Sequence, residues 1–294
     1  MEHDAAWRTK VIVAFAAVYL IWGSTYLAIR VGVQQLPPAL FAGSRFVVAG
    51  ILLALYARWR GQKFPTEFRE WRTIALSGLL MLVGANGLVV WGEQWVPSNQ
   101  AALIVATVAL WLAGFGTLGA SGQKLGPRTV LGLAIGFLGV AILMAPEKGF
   151  SLEHFGAQLA VFAACPLWAA GTMVAKRGRL TTAPLMVAAM QSLIAGLVFC
   201  GIGFPFGEAA RWVWTPEALA ALAFLIVFGS CFGYASYVWL LHEVSPAALG
   251  TYAYINPLVA VVLGWVILQE ALSGKQLAGM VVILSGGMLG TGRM

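Results

Sequence analysis

Ten stretches of apolar residues, each about as long as the hydrocarbon core of a bilayer is thick, occupy nearly the whole chain of 294 residues. Charge-poor runs of roughly 18 residues or more read as transmembrane helices. The pattern predicts them at 11–29, 39–57, 73–91, 100–119, 127–145, 156–175, 184–204, 217–240, 247–268 and 275–291. The first five recur about 146 residues later, which places Trp22 on Trp168, Arg30 on Lys176, Pro38 on Pro184 and Gly50 on Gly196. With a two-residue slip Trp91 falls on Trp239, and Gly132 and Gly139 meet Gly279 and Gly286. Five spans per copy is an odd number, so the second copy enters the membrane from the opposite side. The expected fold is therefore an all-α polytopic membrane protein with ten transmembrane helices in two inverted repeats, 1–147 and 148–294, the architecture of alternating-access carriers.

Composition agrees: the chain is 60% hydrophobic and 10% charged, and its mean hydropathy is +0.85. The first span is too long and too rich in tryptophan for a signal peptide, so it is expected to stay. Charge sets orientation. One set of connecting segments holds Arg8, Lys10, Arg58, Arg60, Lys63, Arg69, Arg72, Lys124, Arg128, Lys176, Arg177, Arg179 and Arg293. The other holds only Arg30, Lys148, Arg211 and Lys275, with Arg45 inside a span. Because Lys and Arg stay on the cytoplasmic side, both termini are expected there. The net charge of +7 is then a topology signal, and no soluble face gathers it into a nucleic-acid footprint.

Chemistry is excluded more than suggested. Cys165, Cys200 and Cys231 lie in apolar spans without a CxxC, and read as small buried hydrophobes. His3, His154 and His242 sit in the tail or at span ends, with nothing resembling HExxH or a Ser/His/Asp set. No enzyme activity, catalytic residue, metal or cofactor is expected. Asp4 lies in the tail, and Glu93, Glu243 and Glu270 lie near span ends, so no carboxylate is expected at the midplane. A charge inside the membrane is costly and marks function. Its absence argues against a cation exporter built round a central glutamate.

Aromatic and neutral polar residues occupy the midplane instead. Trp7, Trp59, Trp71, Trp95, Trp212 and Trp214 fall at span ends, where an interfacial belt accounts for them. Trp22, Trp111 and Trp168 fall mid-span. Each has a partner four residues away on its own helical face: Trp22 with Tyr26, Trp111 with Thr107, Trp168 with Thr172. Ser230, Tyr234 and Tyr237 line up on span 8, Tyr252 and Asn256 on span 9, and Asn86 sits in span 3. These twelve are the candidate substrate-binding residues, converging if spans 1, 3, 4, 6, 8 and 9 enclose a cavity. The opposing reading is that the rings fill helix gaps and the hydroxyls bond back to the preceding turn. A mid-span amide is harder to explain that way, since it has four hydrogen-bonding positions to satisfy. Pro166 and Pro257 interrupt spans 6 and 9 and are candidate hinges. Arg45 either snorkels or meets substrate. Gly132, Gly136, Gly286 and Gly290 permit close packing within the chain or between two copies; a monomer is the working expectation.

The run YLIWGSTYLAIR from Tyr19 to Arg30 resembles the first span of the drug/metabolite transporter superfamily, EamA-type branch. The segment from Ser245 to Gly287 is similar to its closing pair of spans, with Pro257 and Glu270 at the family's proline and LxE glutamate. The resemblance covers essentially the whole chain, and among the branch the aromatic centre looks most like the YddG-type amino-acid exporters. It implies ten helices in two inverted halves, cytoplasmic termini and export of small metabolites. Where the family repeats the proline and glutamate in the first half, this chain has Ala109 and Gly122. The expectation is an inner-membrane exporter of small metabolites, amino acids including aromatic or neutral ones, with the small molecule and the lipid bilayer as its partners. A carrier of another neutral solute and a non-transporting scaffold are the alternatives. With no Asp, Glu or His near the midplane, transport is expected to run down the solute's own gradient unless Glu93, Glu243 or Glu270 carries a proton.

Overall fold

The computed structural model describes residues 2–118, 126–144, 154–271 and 273–291, and among these every regular element is helical. Ten helices follow one another: α1 Glu2–Val33, α2 Pro38–Trp59, α3 Phe68–Gly92, α4 Ser98–Gly116, α5 Pro127–Met144, α6 Phe155–Arg177, α7 Pro184–Gly203, α8 Pro216–Glu243, α9 Tyr252–Leu268 and α10 Gly274–Thr291. Among the described residues, seven of them, α1 to α4 and α6 to α8, are long and apolar enough to cross a membrane by length and composition. The helices start where the sequence permits nothing else to start as cheaply. Pro38, Pro127, Pro184 and Pro216 each open a helix, because proline's fixed φ suits the first turn and its missing N–H costs nothing there.

Several spans depart from the expected outline: the first is helical from Glu2 instead of 11, and the fourth is interrupted at Ala106 and Thr107. The ninth, read as continuous over 247–268, is a one-turn helix Pro246–Leu249 followed by α9, with Gly250 and Thr251 in the turn between them. The third begins at Phe68 instead of 73, since its first turn carries Glu70 and Trp71 below the apolar run. Pro166 and Pro257 lie inside α6 and α9, which continue through them.

The inverted repeat is visible in the packing. α2 packs against α7 and α5 against α10, the most extensive helix contacts among the described residues. Each interface is closed by glycines in mirrored roles. A Cβ at Gly50 would stand 2.8 Å from the backbone nitrogen of Leu193, and one at Gly196 would stand 2.5 Å from that of Val47. Likewise a Cβ at Gly139 would meet the nitrogen of Ile283 at 2.7 Å, and one at Gly286 that of Gly136 at 2.5 Å. In lipid such close backbone approach takes over much of the role that hydrophobic burial plays in water. The small-residue spacing of α5 and α10 is thus used inside the chain.

Carboxylates tie one half to the other. Glu208, after α7, accepts the N–H groups of Ala39 at 3.3 Å and Leu40 at 2.7 Å, capping α2. Glu70, after α2, accepts the backbone N–H and the hydroxyl of both Thr181 and Thr182, just ahead of α7. Each exploits the positive end of a helix or the free N–H groups preceding it. The same mirror relation places a π-helical stretch in α3, Leu79–Asn86, and another in α8, Leu225–Tyr234. Such widened turns recur at functional sites because they re-aim side chains without ending the helix.

Candidate functional site

Between the halves lies a cavity with about 70 Å³ available to the centres of water molecules, enough for several waters by the usual measure. Its walls come from α1, α3, α4, α6, α8 and α9, and also from α2, which contributes Arg45 and Phe46. Both π-helical stretches reach it: Leu82, Ala85 and Asn86 from α3, Gly229 and Tyr234 from α8.

Six of the twelve residues picked out from the sequence line this cavity: Trp22, Tyr26, Asn86, Trp168, Tyr234 and Tyr252. Trp22, whose repeat mate is Trp168, is the hub of an aromatic cluster. Its ring centroid lies 5.3 Å from Trp168, 5.0 Å from Tyr237 and 5.3 Å from Tyr252. The polar atoms of this cluster find partners in the protein. Trp22 donates to the Gly229 carbonyl at 3.2 Å, Trp168 donates to the Tyr237 hydroxyl at 3.0 Å, and Tyr234 donates to Gln191 Oε1 at 2.8 Å. A hydrated cavity is therefore not what satisfies them; what they offer the cavity is ring surface.

The other six stand behind the wall. Tyr237 is fully buried and shares a 2.7 Å hydrogen bond with Thr172, whose hydroxyl also bonds to the Trp168 carbonyl at 2.9 Å. Thr107 donates back to the Ile104 carbonyl at 2.8 Å, in the turn where α4 bends. Trp111 packs edge-on to Phe115 and Phe162. The Asn256 amide, oriented so that its nitrogen faces two carbonyls, donates to Tyr252 and to Tyr19 at 3.1 Å each, joining α9 to α1. Ser230 accepts Arg45 Nε at 2.9 Å.

That last bond matters most. Arg45 is 5% exposed and lines the cavity, with its guanidinium 4.8 Å from the Phe46 ring centroid and its Nε held by Ser230. Nη1 has no partner among the described residues. A buried guanidinium with an unused N–H is expensive unless something binds it. Across the same cavity the Asn86 side-chain oxygen is buried and equally without a donor. The cavity thus has a rigid cationic donor, a neutral acceptor and aromatic faces. From sequence Arg45 was ambiguous, because a lone mid-span arginine snorkels as readily as it binds; its spacing from Phe46 and the distant Ser230 carried no signal. Thr25 and Phe46 were missed for the same reason, since the helical phase of their faces is hidden in helices apolar all round.

The EamA-like transporter family matches residues 9–145 and again residues 155–291. The inner membrane transporter YedA of Escherichia coli strain K12, described as uncharacterized, is 39% identical over 261 residues, covering 88% of this chain and 83% of that protein. A transporter of Bacillus subtilis strain 168, YvbV, likewise described as uncharacterized, is 27% identical over 95% of this chain and 90% of its own length. A solved crystal structure superposes with a TM-score of 0.71, covering 96% of each chain at 20% identity, a likeness of fold.

Proposed function

The chain belongs to the EamA-like transporter family, a membrane transporter with two repeats of five helices, and from that premise we propose that it exports small metabolites, amino acids including aromatic or neutral ones, across the inner membrane by alternating access. Its helices are multi-pass and its relative is named an inner membrane transporter. In this reading the face where the chain begins and ends is cytoplasmic, on the strength of thirteen Lys and Arg against four. The observation that carries the substrate class is the unpartnered Arg45 Nη1 in the cavity wall. A guanidinium pinned through Nε presents its remaining fork to a carboxylate. The Asn86 oxygen and the faces of Trp22, Trp168 and Tyr252 suit the ammonium and side chain of the same zwitterion.

The test is counterflow in proteoliposomes loaded with unlabelled solute. Labelled amino acids exchange, whereas their amides and decarboxylated amines do not. A hydrogen bond to a charged group contributes about 1.5–3 kcal/mol, so Arg45→Gln lowers exchange roughly 10- to 100-fold. Exchange of sugars or nucleosides but of no amino acid overturns the substrate class in favour of a neutral-solute carrier. No exchange of any solute supports the scaffold.

A further inference from the structure

Three carboxylates near the helix ends were candidates for carrying a proton, and two of them are occupied. Glu243 is exposed and accepts Trp7 Nε1 at 2.7 Å. Glu270 accepts the backbone N–H groups of Ser98 and Asn99 at 3.0 and 3.1 Å, and the Ser98 hydroxyl at 2.8 Å. Glu93 differs from both. It follows the last residue of α3, is fully buried, and neither carboxyl oxygen has a hydrogen-bond partner among the described residues. Arg30, the obvious candidate, spends its guanidinium on the Glu93 backbone carbonyl.

Packing does not require a carboxyl here. The repeat relation that sets Trp91 on Trp239 sets Glu93 on Leu241, itself fully buried. The backbone contact is mirrored too: Arg30 donates to the Glu93 carbonyl, and its mate Lys176 donates to the Leu241 carbonyl at 2.7 Å. The helix-end cap is thus common to both halves, and the buried acid belongs to one. Glu93 lies one turn beyond Val89 and two beyond Asn86, so it continues the α3 face that lines the cavity. The charged and titratable groups acting on it are Arg30 and Tyr26 of α1, Arg45 of α2 and Glu270 beyond α9. Burial pushes its carboxyl well above the usual carboxylate range, with Arg30 pulling the other way.

We propose that Glu93 is a proton-binding site that couples solute exit to proton entry. The proposal rests on the carrier reading. In the closed state the acid is neutral, which is how an unpartnered carboxyl tolerates burial. Once per cycle it takes a proton from the water on the face opposite the termini and releases it to the water on the terminal face, while solute moves the other way. Arg30 and, at the cavity, Arg45 are the charges that favour the ionised form when that wall opens.

Infrared spectra of the purified protein at neutral pH read the site without any substrate. A carboxylic-acid carbonyl band, shifted by deuteration, is present in the wild type, absent in Glu93→Gln and in Glu93→Leu, and retained in Glu270→Gln. In vesicles, a pH difference drives net accumulation of any solute that shows counterflow. Glu93→Gln loses that accumulation while keeping counterflow. An unchanged infrared band in both Glu93 variants overturns the proposal. So does pH-driven accumulation that survives in Glu93→Gln, or wild-type counterflow that ignores the pH difference. A failed amino-acid screen with the band intact counts against the substrate class and leaves the proton site standing.

Discussion

The Trp22 and Trp168 indoles, equivalent residues of the two repeats, meet edge to face with ring centroids 5.3 Å apart at 85°. Both rings line the cavity where the two halves touch, so motion of one half against the other must slide or part them. An edge-to-face aromatic pair contributes about 0.5–1.5 kcal/mol beyond its burial. Trp168 also packs on Tyr234 and Tyr237 and holds the Tyr237 hydroxyl. Trp168→Ala is thus expected to lose both flux and folded protein, at a cost of about 3–5 kcal/mol. Asn86→Ala removes an acceptor that no protein donor uses, and is expected to lose flux with an unchanged melting temperature. Thermal melts of the two purified variants check this; a normal melt for Trp168→Ala would show that the ring is a wall residue without a packing role.

The two mirrored glycines of α7 and α2 permit a sharper test of packing. At Gly196 a methyl group would collide with the Val47 backbone at 2.5 Å, and backbone cannot step aside cheaply. Five residues along the same helix, Gly201 has nothing within 4 Å. Gly196→Ala should therefore lower stability by about 1–3 kcal/mol. Gly201→Ala should raise it by up to about 1 kcal/mol through helix propensity alone. Equal melting temperatures for the two variants would mean that the α2–α7 contact is looser than the structure has it.

Ten helices and their repeat were legible because a bilayer enforces long apolar runs, and an odd repeat forces inversion. The break before α9 was not, because Gly250 and Thr251 interrupt an apolar stretch without changing its hydropathy. The cavity's location was readable from mid-span aromatics, yet the role of each was not. Periodicity places Tyr237 and Tyr252 together, but only the fold shows that Tyr237 bonds to Thr172 behind the wall while Tyr252 faces in. Arg45 and Glu93 show the deeper limit. Whether a lone charge near or inside a span is solvated, paired or waiting depends on residues more than a hundred positions away, such as Ser230.

Topology has reporters better chosen from the structure than from the sequence. Ser98, at the face opposite the termini, is buried and bonded to Glu270, and Lys148 lies outside the described residues. Ala210, after α7, and Arg60, after α2, are exposed at opposite faces. With the three native cysteines replaced, Ala210→Cys is expected to react with an impermeant maleimide in intact cells. Arg60→Cys is expected to react only after the membrane is opened. The reverse labelling pattern would invert the proposed orientation.

Glu270 closes one face with a carboxylate whose repeat-equivalent position carries no acid in the sequence. Its carboxylate caps α4 through Ser98 and Asn99, clamping the end of α9 to the first half. The repeat puts Gly122 where a second carboxylate would serve the other face; that position lies outside the described residues, and the chain has no acid there. Ser245, near the equivalent of Ser98, caps its own turn by accepting the Ala248 N–H at 3.2 Å. The clamp on the Ser98 side is charge-assisted and worth about 1.5–3 kcal/mol. Replacing it should shift the protein toward states open at that face. Glu270→Gln is thus expected to raise the thiol reactivity of a cysteine at Val96, a residue 1% exposed in the adjoining turn, by roughly tenfold or more, in proportion to the lost energy. A cysteine placed at Leu249, fully buried in the turn after Ser245 on the opposite face, should not gain reactivity. Equal rates at Val96 with and without Glu270→Gln would show that the carboxylate stabilises the helix end alone and leaves the gate untouched.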